Sequence, residues 1–529
     1  MRSSFLTLVA LTGHHTLTHA ADISNLASTL QTLSTSIFPP LQSIATSVWS
    51  HPEIGLDEHY AHDLVIDYFT NTLPNVWDTI TPQAFGLDTA WRLEFSTPSS
   101  TSSGDGDLPV IGFLAEYDAL VGIGHACGHN QILLTALTAA SLTRQALLDL
   151  GIPGRVVVLG TPDEENAAGK CLLRSQSGGA AYEGVDVWMM AHPTNANAVQ
   201  PMNARVNAIT DFRGASHEEA VRRAYGAMVA VRDLVTQGGL PGTSSSVVAV
   251  EEVGMFECNI VQGQISLGIR GVELDVVKQT VDGLLGGDDG TYPGVSFTAV
   301  ADKDGKGVNV TALGPGGHAS ESTKGPLVLT VETFRALSGQ DGVEFYLPGN
   351  TTLAELGVVF DIRSRYTQDL DLVLETVEAA IKGSSGGDSA DITITTDTVY
   401  PALEVTPFLP DLFTSLLATP EYGSQTDFPI STFAPASTDA GCVQQAVVDP
   451  DSRKLVGSEK VVFHPNYNIC DAANSGGKCA FNHEPGFATA AGTDYAYQRT
   501  EVIARALADV AVRLLNDPAV MANATAILA

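Results

Sequence analysis

Hydrophobic residues along the first part of the chain follow two different periods. "LPVIGFLAEY" (108–117) and "GRVVVLGTP" (154–162) are short β-branched apolar runs bounded by Gly, Pro or acidic residues, which is typical of buried parallel strands. Between them, "QILLTALTAASLTRQALLDL" (131–150) has the apolar spacing of a helix, as does the segment 21–49. Strand, helix and strand in this order predict an α/β layout, in which ligands lie beyond the carboxyl ends of the strands.

The middle of the chain contains an apparent internal repeat. A strand, a Gly-containing turn, His217 and a helix are followed by a strand that ends in Arg270 and by a second helix. The same order recurs later, with His318 and Arg363 in the matching places. The repeat predicts a separate α+β unit made of two similar halves.

The α/β pattern resumes after this repeat and ends in a long helical stretch, so we expect the repeat to be an insertion in a discontinuous first domain. The predicted fold class is α/β, with a three-layer catalytic domain around a central, mostly parallel sheet and an inserted α+β lid of two β-α-β-β-α halves. The predicted segments are a signal peptide at 1–20, a first catalytic part at 21–205, the lid at 206–384 with halves 206–287 and 296–384, and a second catalytic part at 385–529.

The N-terminus has the three parts of a secretory signal. Arg2 precedes the short apolar run from Phe5 to Leu11, and the segment ends in small residues at Thr18-His19-Ala20. The apolar run is too short to span a bilayer, and no later run reaches eighteen apolar residues. We therefore expect a soluble, secreted protein that starts near Ala21. Three glycosylation sequons agree with export, although chance alone supplies as many in a chain of this length: Asn309-Val-Thr, Asn350-Thr-Thr and Asn523-Ala-Thr.

The net charge narrows the possible partners, and the cysteine content limits the possible disulfides. The 27 basic and 60 acidic residues give a net charge of -33, which repels nucleic acid and anionic membranes, so neither is expected as a partner. Six cysteines are few for a disulfide scaffold. Cys470 and Cys479 bracket a polar, Gly-rich loop that a disulfide could close in an oxidising compartment, whereas Cys258 and Cys442 could pair or stay buried as small hydrophobic residues.

Four polar clusters lie at the ends of predicted strands. Each alone is typical of a structural histidine or of solvated acids. Together they offer the cysteine, histidine and carboxylate ligands that borderline-soft divalent metals prefer. The clusters are "HACGHN" with His125, Cys127 and His129, "GTPDEEN" with Asp163, Glu164 and Glu165, "MMAHPT" with His192, and "NHEPGF" with His483.

Such a ligand set suits metal-assisted hydrolysis. One metal ion, or a pair about 3.5–4 Å apart, polarises a carbonyl group and lowers the pKa of a bound water. Adjacent Glu164 and Glu165 can divide the work, because one can bind metal while the other takes the proton of the water and passes it to the leaving nitrogen.

Six motifs carry a resemblance to a known family. "HPEIGLDEHYA", "AEYDALVGIGHACGHN", "GTPDEENAAGK", "AHPT", "STDAGCV" and "HEPGFATAAGT" resemble the zinc aminoacylase, amidohydrolase and carboxypeptidase family of metallopeptidases, peptidase family M20. Within that family they are most similar to the branch named for aminoacylase-1-like protein 2. The match covers about residues 45–205 and 430–515. It implies hydrolysis of an amide bond in a small N-acyl amino acid or dipeptide.

The resemblance also implies roles for single residues. Glu164 corresponds to the general base, and Asp118 to a carboxylate that supports a metal-binding histidine. Glu116 and His125 are expected to be orienting or structural. The implied cofactor is a pair of divalent metal ions, zinc or alternatively manganese or cobalt, with Cys127 as the bridging ligand and His129, Glu165, His192 and His483 completing the site. Cys127 would then be a thiolate that forms no disulfide, so at least one other cysteine stays unpaired or pairs between chains.

In this family the inserted domain commonly dimerises and supplies a histidine that stabilises the oxyanion in the partner's active site. Some monomeric members use a doubled lid in place of the partner. A doubled lid here therefore implies a monomer in which His318 of "GPGGHAS" serves the site. Without a true repeat, the roles reverse, and a homodimer would use His217.

Three further lid residues are candidate substrate contacts. Asn259 in "CNIVQGQ" resembles a family Asn-Val-Ile-Pro turn in which Gln262 replaces the proline. Arg270 and Arg363 could bind a substrate carboxylate through two parallel hydrogen bonds, or could be surface residues at strand ends.

The leading hypothesis is thus a secreted, metal-dependent amidohydrolase or peptidase with a small-molecule substrate. One alternative is a catalytically silent, metal-stabilised binding protein, which would have no need of Glu164. Another is a thiol hydrolase with Cys127 as the nucleophile. That alternative leaves Glu165, His192 and His483 unexplained.

Overall fold

The structure of the chain is a computed structural model, and parts of the chain lie outside the residues that it describes. Cys258, Asn259 and Asn350 are outside these residues, as is the predicted signal peptide except for its last residue. The described residues are 20–98, 108–242, 246–251, 260–286, 292, 294–314, 316–318, 325–349, 353–384, 391–434, 436–472 and 479–528.

The first part of the catalytic domain alternates helices and strands as its apolar pattern predicts. Its elements are α1 (Leu26–Ser50), α2 (His59–Asp67), β1 (Thr79–Pro82), β2 (Trp91–Ser96), β3 (Val110–Ala115), α3 (His129–Leu150), β4 (Arg155–Gly160), α4 (Gly169–Ser177), β5 (Val187–Met189), β6 (His192–Thr194) and β7 (Ala198–Val199). All six residues of β3 are buried, which fits its continuous apolar run. Gly151 ends α3 in the left-handed conformation at φ 65°.

The lid follows. Its elements are β8 (Ala204–Arg213), α5 (His217–Thr236), β9 (Ser246–Glu251), β10 (Ile260–Val261), β11 (Gln264–Arg270), α6 (Leu274–Leu285), β12 (Ser296–Ala301), β13 (Gly307–Leu313), β14 (Gly317–His318), α7 (Pro326–Leu337), β15 (Glu344–Tyr346), β16 (Glu355–Ser364), α8 (Thr367–Ser384) and β17 (Ile392–Thr396). Ser216 caps α5, where its side chain accepts a hydrogen bond from the backbone N–H of Glu219.

The chain then returns to the catalytic domain. The elements of this part are α9 (Leu409–Leu417), α10 (Gly441–Gln444), β18 (Ala446–Val448), β19 (Leu455–Ser458), β20 (Val461–Phe463), β21 (Pro465–Asn468), α11 (Pro485–Ala490), α12 (Asp494–Asn516) and α13 (Pro518–Ala524). Among the described ranges, no helix combines the length and the apolar character needed to cross a membrane.

A six-stranded sheet in the order β1-β2-β4-β3-β5-β20 forms the centre of the catalytic domain. The pairings β4–β3, β3–β5 and β5–β20 are parallel, whereas β1 and β2 are antiparallel additions at one edge. Helices α1, α3 and α12 share one buried core with one face of the sheet. Leu173 of α4 and Val443 of α10 share a second core with the opposite face. The prediction of three layers around a mostly parallel sheet is confirmed.

The lid contains two four-stranded antiparallel sheets of the same topology. Their orders are β17-β8-β16-β9 and β12-β13-β11-β15. Four strand-helix-strand segments follow one another along the chain. The first and fourth form one sheet, and the second and third form the other. We call the unit with β8, β9, β16 and β17 the outer lid unit and the unit with β11, β12, β13 and β15 the inner lid unit. The inner unit is inserted in the chain between β9 and β16 of the outer unit, and both units contribute to one hydrophobic core.

This arrangement differs from the predicted division of the lid. Strands from 206–287 and from 296–384 occur in both sheets, since β9 pairs with β16 and β11 pairs with β13. The predicted halves are therefore not the units that form the sheets. The division of the lid into two units depends on which distant strands pair. Local periodicity does not encode that pairing, so the sequence pattern alone did not predict the division.

Two disulfides lie among the described residues. Cys470 pairs with Cys479, as predicted. Cys442 pairs with Cys171, 271 residues away, so neither alternative left open for Cys442, a bond to Cys258 or a buried free thiol, is found. The described part of the chain leaves Cys127 as a buried free thiol.

Candidate metal and active site

The predicted site residues lie at the carboxyl edge of the parallel strands. Glu116 and Asp118 follow β3, Glu164 and Glu165 follow β4, and His192 follows β5. We call the predicted ligands and the adjacent acid the metal floor, which comprises Cys127, His129, Glu164, Glu165, His192 and His483. Neighbouring parallel strands all end at this edge, which is why separate motifs meet here.

A glycine allows two parts of the metal floor to approach each other. Gly128 has φ +78°, and a Cβ at this position would lie 2.6 Å from Cγ of Pro193. Only a residue without a side chain therefore fits between Cys127 and His129 at the start of α3. This close approach brings both residues next to the segment that carries His192.

Asp118 orients two groups of the metal floor. Its Oδ1 atom lies 2.7 Å from Nδ1 of His129, and its Oδ2 atom accepts the backbone N–H of Glu165 at 3.1 Å. An N–H at Nδ1 leaves the lone pair at Nε2 of the ring. That buried Nε2 atom has no hydrogen-bond partner among the described residues, and it lies 3.6 Å from carboxylate oxygens of both Glu116 and Glu165. A metal ion would satisfy it.

Two more histidines approach the same centre. Nε2 of His483 lies 3.3 Å from Oε1 of Glu165, and Nε2 of His192 lies 3.6 Å from Sγ of Cys127. Nδ1 of His192 donates to the carbonyl of Pro193 at 2.8 Å, so its Nε2 also presents a lone pair. The side-chain amide of Asn482 donates to Sγ of Cys127 at 3.6 Å.

Two of the three candidate metal groups among the described residues share one sulfur, and the third consists of His129, Glu164 and Glu165. Cys127, His129 and His192 form the first group, and Cys127, Glu165 and His483 form the second, with all ligand atoms in each group within 4.8 Å of one another. The shared position is the one that the sequence predicts for a bridging Cys127. Thiolate, imidazole and carboxylate suit zinc and similar divalent ions, so the donor set fits the expected cofactor.

Several buried carboxyl groups lie in and near the metal floor. Burial, followed by the charge of Glu165, raises the pKa of Glu164 well above its usual value. Burial and the charge of Asp118 raise the pKa of Glu58 to about 8 and that of Asp163 to about 7. Divalent cations would offset this repulsion and favour the ionised carboxylates.

Lys170 supplies a fixed cation beside the metal floor. It is not among the predicted site residues. Its buried Nζ lies 2.5 Å from Oε1 of Glu116 and 2.5 Å from Oδ1 of Asp439. Its backbone N–H donates to Oδ2 of Asp439 at 2.8 Å. The disulfide between Cys171 and Cys442 fixes the two segments that carry this ion pair. Lys170 and Asp439 stand in quoted motifs, but a lysine in a Gly- and Ala-rich stretch gives no signal of burial.

Glu164 is held from two sides. Its backbone carbonyl accepts the hydroxyl of Tyr400 at 2.6 Å, and its Oε1 accepts the backbone N–H of Asp439 at 3.4 Å. Its side chain lines a cavity of about 220 Å³ together with Cys127 and His192. Glu164 and Glu165 both line this cavity, and Oε1 of Glu165 also faces Nε2 of His129 and of His483.

Two arginines of the lid form one wall of this cavity. Arg205 on β8 and Arg363 on β16 are direct cross-strand partners, and both line the cavity. Asp361 lies between them, 2.9 Å from Nε of Arg205 and 2.7 Å from Nε of Arg363. Nη1 of Arg363 donates to Ser437 at 3.0 Å. We call Arg205, Asp361 and Arg363 the arginine wall. Like charges directly opposite in a sheet are unfavourable, and Asp361 offsets the repulsion by accepting hydrogen bonds from both arginines.

The other predicted lid contacts have different outcomes. His217 is buried inside the lid, where Nδ1 donates to the carbonyl of Leu353 at 2.7 Å and Nε2 accepts the N–H of Leu347 at 2.9 Å. It is absent from the described cavity lining of its own chain, and its role at a partner subunit's site stays a prediction. Arg270 pairs with Glu218 at 2.9 Å and also does not line the cavity.

His318 and Asn259 remain predictions. The backbone of His318 pairs with Ile260 in the short β10–β14 ladder, which brings the two predicted lid segments together. Asn259 lies outside the described residues.

Two further buried histidines lie behind the metal floor. Nε2 of His125 donates to the carbonyl of Val48 at 3.1 Å, which agrees with a structural role. His464, which follows β20, has no hydrogen-bond partner for either ring nitrogen among the described residues, and its ring centre lies 5.8 Å from that of His192. Burial lowers the pKa of His464 to about 3, so its ring is neutral. His464 is not among the predicted site residues, because a single histidine after an apolar strand is a weak signal.

Comparisons with known proteins agree with this geometry. No family model matches the chain. The chain is 40% identical over 162 residues to the human Xaa-Arg dipeptidase, a match that covers 30% of this chain and 36% of that protein. It is 28% identical over 167 residues to one component of the p-aminobenzoyl-glutamate hydrolase of Escherichia coli (strain K12), which covers 28% of this chain and 31% of the relative. The names of these relatives agree with the predicted resemblance to amidohydrolases and dipeptidases.

Structural similarity extends over more of the chain than sequence similarity. A protein described as an aminohydrolase from methicillin-resistant Staphylococcus aureus superimposes with a TM-score of 0.51 at 13% identity, covering 92% of this chain and 98% of that chain. At this identity the similarity shows the fold. The matched stretches span 36% and 31% of the length of these curated relatives, so their activities are considered below as part of a proposal.

Proposed function

We propose that the protein is a metal-dependent amidohydrolase or peptidase that cleaves an amide bond in a small N-acyl amino acid or dipeptide. The observation that carries the proposal is the pair of candidate metal groups sharing Cys127, with Glu164 beside them on the same cavity. The dipeptidase and hydrolase names of the relatives agree with this activity. Two zinc ions are the proposed cofactor, because the donor set joins thiolate, imidazole and carboxylate.

The predicted site residues suit the steps of amide hydrolysis. Divalent cations held at the metal floor would polarise the substrate carbonyl and lower the pKa of a water molecule. Glu164 accepts a proton from the attacking water and delivers it to the leaving nitrogen, so the C–N bond breaks into a carboxylate and an amine. Asp118 holds His129 in the required tautomer. The arginine wall binds the carboxylate of the substrate's amino-acid part, and His318 stabilises the oxyanion.

A role for Cys127 as the nucleophile is less well supported. Burial, followed by the charge of Glu165, raises the pKa of the Cys127 thiol well above its usual value. A thiol nucleophile needs a lowered pKa or an adjacent base. His192 lies beside Cys127, but Glu165 and His483 would then have no role. A metal bridge uses all of these residues.

The test combines metal analysis with an activity assay. Purified protein, wild type and Glu164→Gln, is analysed for bound metal and assayed on N-acyl amino acids and dipeptides, including one that ends in arginine. We expect about two zinc ions per chain in both proteins and hydrolysis only by the wild type. Hydrolysis that persists in the variant or is indifferent to chelators would refute the mechanism. Metal binding without hydrolysis of any substrate would favour the silent binding protein.

We also propose that the protein is exported and monomeric. Two disulfides among the described residues favour an oxidising compartment, which supports the predicted signal peptide. Asn523 is exposed on α13 and can accept a glycan, whereas the side chain of Asn309 accepts a hydrogen bond from Tyr346. Two lid units packed into one core within a single chain support a monomer.

Both proposals have direct tests. N-terminal sequencing of protein recovered from the medium should begin near Ala21, and a retained Met1 would contradict cleavage. Light scattering should give the mass of one chain. A dimer would instead agree with the alternative in which the lid joins two subunits.

A further inference from the structure

An aromatic side chain is exposed at the mouth of the cavity. Phe433 lines the cavity but is 70% exposed, the largest exposed fraction among the large hydrophobic residues described. Single exposed apolar residues are common and need no explanation. This one differs because it borders the cavity that contains the metal floor.

The backbone around Phe433 is fixed on both sides. Before it, the N–H of Ser431 donates to the carbonyl of Val199 at 2.9 Å. After it, the side chain of Asn203 donates to the carbonyl of Ala434 at 2.9 Å, and its backbone N–H donates to that of Ala436 at 2.7 Å. The ring is therefore presented from an anchored segment, which lowers the entropic cost of using it as a contact surface.

Apolar and polar residues alternate in the cavity lining near this segment of the chain. Ala196, Ala198, Met202 and Ala436 contribute apolar surface, whereas Asn195, Gln200 and Thr438 contribute polar groups. Small-molecule sites commonly combine such apolar surfaces with a few placed polar groups. Here the metal floor and the arginine wall are the placed polar groups, and Phe433 completes an apolar surface beside them.

We infer that Phe433 forms a subsite for an apolar or aromatic group of the substrate, so that the preferred substrates are amides carrying such a group. The inference rests on the proposed amidohydrolase activity and adds the substrate class. A phenyl ring also attracts cations, and a relative is named for dipeptides that end in arginine. The arginine wall argues against that occupant, because the guanidinium groups of Arg205 and Arg363 line the same cavity and repel a further cation.

The experiment measures substrate preference in metal-loaded, full-length protein. The substrates are N-acetylglycine, N-benzoylglycine, N-acetylphenylalanine and glycylarginine, which place the aromatic group on the acyl side, on the amino-acid side or nowhere. The variants are Phe433→Ala and Phe433→Tyr. Phe481→Ala is the matched control, since Phe481 is 45% exposed and absent from the described cavity lining.

We expect Phe433→Ala to lower the kcat/KM preference for one aromatic substrate over N-acetylglycine by roughly tenfold, the factor that corresponds to about 1.4 kcal/mol. The loss should arise mainly in KM, Phe433→Tyr should restore the preference, and Phe481→Ala should leave it unchanged. The affected aromatic substrate identifies which side of the amide occupies the subsite. An unchanged preference, an equal loss for all substrates, or a loss confined to glycylarginine would overturn the inference.

Direct binding separates this inference from the proposed activity. Calorimetry with N-benzoylglycine, N-acetylphenylalanine and N-acetylglycine needs no turnover. If none of the compounds is hydrolysed but an aromatic one still binds about tenfold more tightly in the wild type than in Phe433→Ala, the subsite stands and the proposed activity fails. If the protein hydrolyses substrates without any such binding preference, the activity stands and the subsite is wrong.

Discussion

The metal floor and the arginine wall border the same cavity but are assembled in different ways. The floor combines side chains that follow β4 and β5 with side chains at or just before the starts of α3 and α11, and its residues stand in short motifs rich in Cys, His and Glu. The wall is formed where β8 meets β16, and its Arg205 and Asp361 are 156 residues apart. A site on strand ends can therefore be predicted from motifs, whereas a site formed by the pairing of distant strands depends on the register of that pairing.

The comparison predicts that the floor controls the chemical step. We expect Glu164→Gln to lower kcat by about 10³-fold, because the general base is lost, with KM and metal content little changed. Steady-state kinetics measure kcat and KM, and metal analysis measures the metal content. A loss confined to KM would place Glu164 among the binding residues and remove the distinction between floor and wall.

The floor also depends on the buried cation behind it. Lys170→Met leaves Glu116 and Asp439 without their shared partner, so we expect the free energy of unfolding to fall by about 3–5 kcal/mol. Denaturant unfolding of the metal-loaded protein measures it. Lys382→Met is the control, because Lys382 pairs with Glu378 on the lid surface, and its loss should cost less than about 1 kcal/mol. Equal losses in the two variants would show that Lys170 has no special role.

The two lid histidines test whether the lid takes part in turnover. We expect His318→Ala to lower kcat by about 10²-fold, the usual effect of losing one oxyanion donor. His217→Ala should leave kcat unchanged and lower stability by about 1–3 kcal/mol, because Leu347 and Leu353 lose their hydrogen-bond partner. Steady-state kinetics measure kcat of both variants, and thermal unfolding measures their stability. The reverse order would assign the site histidine to the outer lid unit.

Orientation of the floor can be tested without an activity assay. Asp118→Asn keeps the size of the side chain but weakens its bond to Nδ1 of His129, so we expect metal affinity to fall by about 10- to 100-fold. Competition with a chelating dye measures the affinity. An unchanged affinity would mean that packing alone holds His129.

The smallest expected effect concerns the arginine wall. Arg363→Lys keeps the charge but removes the planar pair of donors, so we expect KM to rise about tenfold with kcat little changed. Arg270→Lys, away from the cavity, should change neither constant. A fall in kcat for Arg363→Lys would show that the wall also positions the substrate for the chemical step.

The sequence by itself determined the layers of the catalytic domain and the identity of the metal floor. Buried β-branched runs followed by glycines and acids can form little other than parallel strands with polar ends, and parallel strands bring those ends together at one edge. The motifs that contain Cys127, His129, Glu165, His192 and His483 resemble those of a metallopeptidase family, and this resemblance predicts that the five residues share one site.

Only the tertiary structure decided the rest. The nested lid units, the Cys171–Cys442 disulfide and the burial of Lys170 all depend on contacts between segments far apart in the chain. The same is true of Phe433, whose exposure beside the cavity has no local signature. Local periodicity records which face of an element is apolar, but it does not record which distant element packs there, and that packing gives Lys170 and Phe433 their roles.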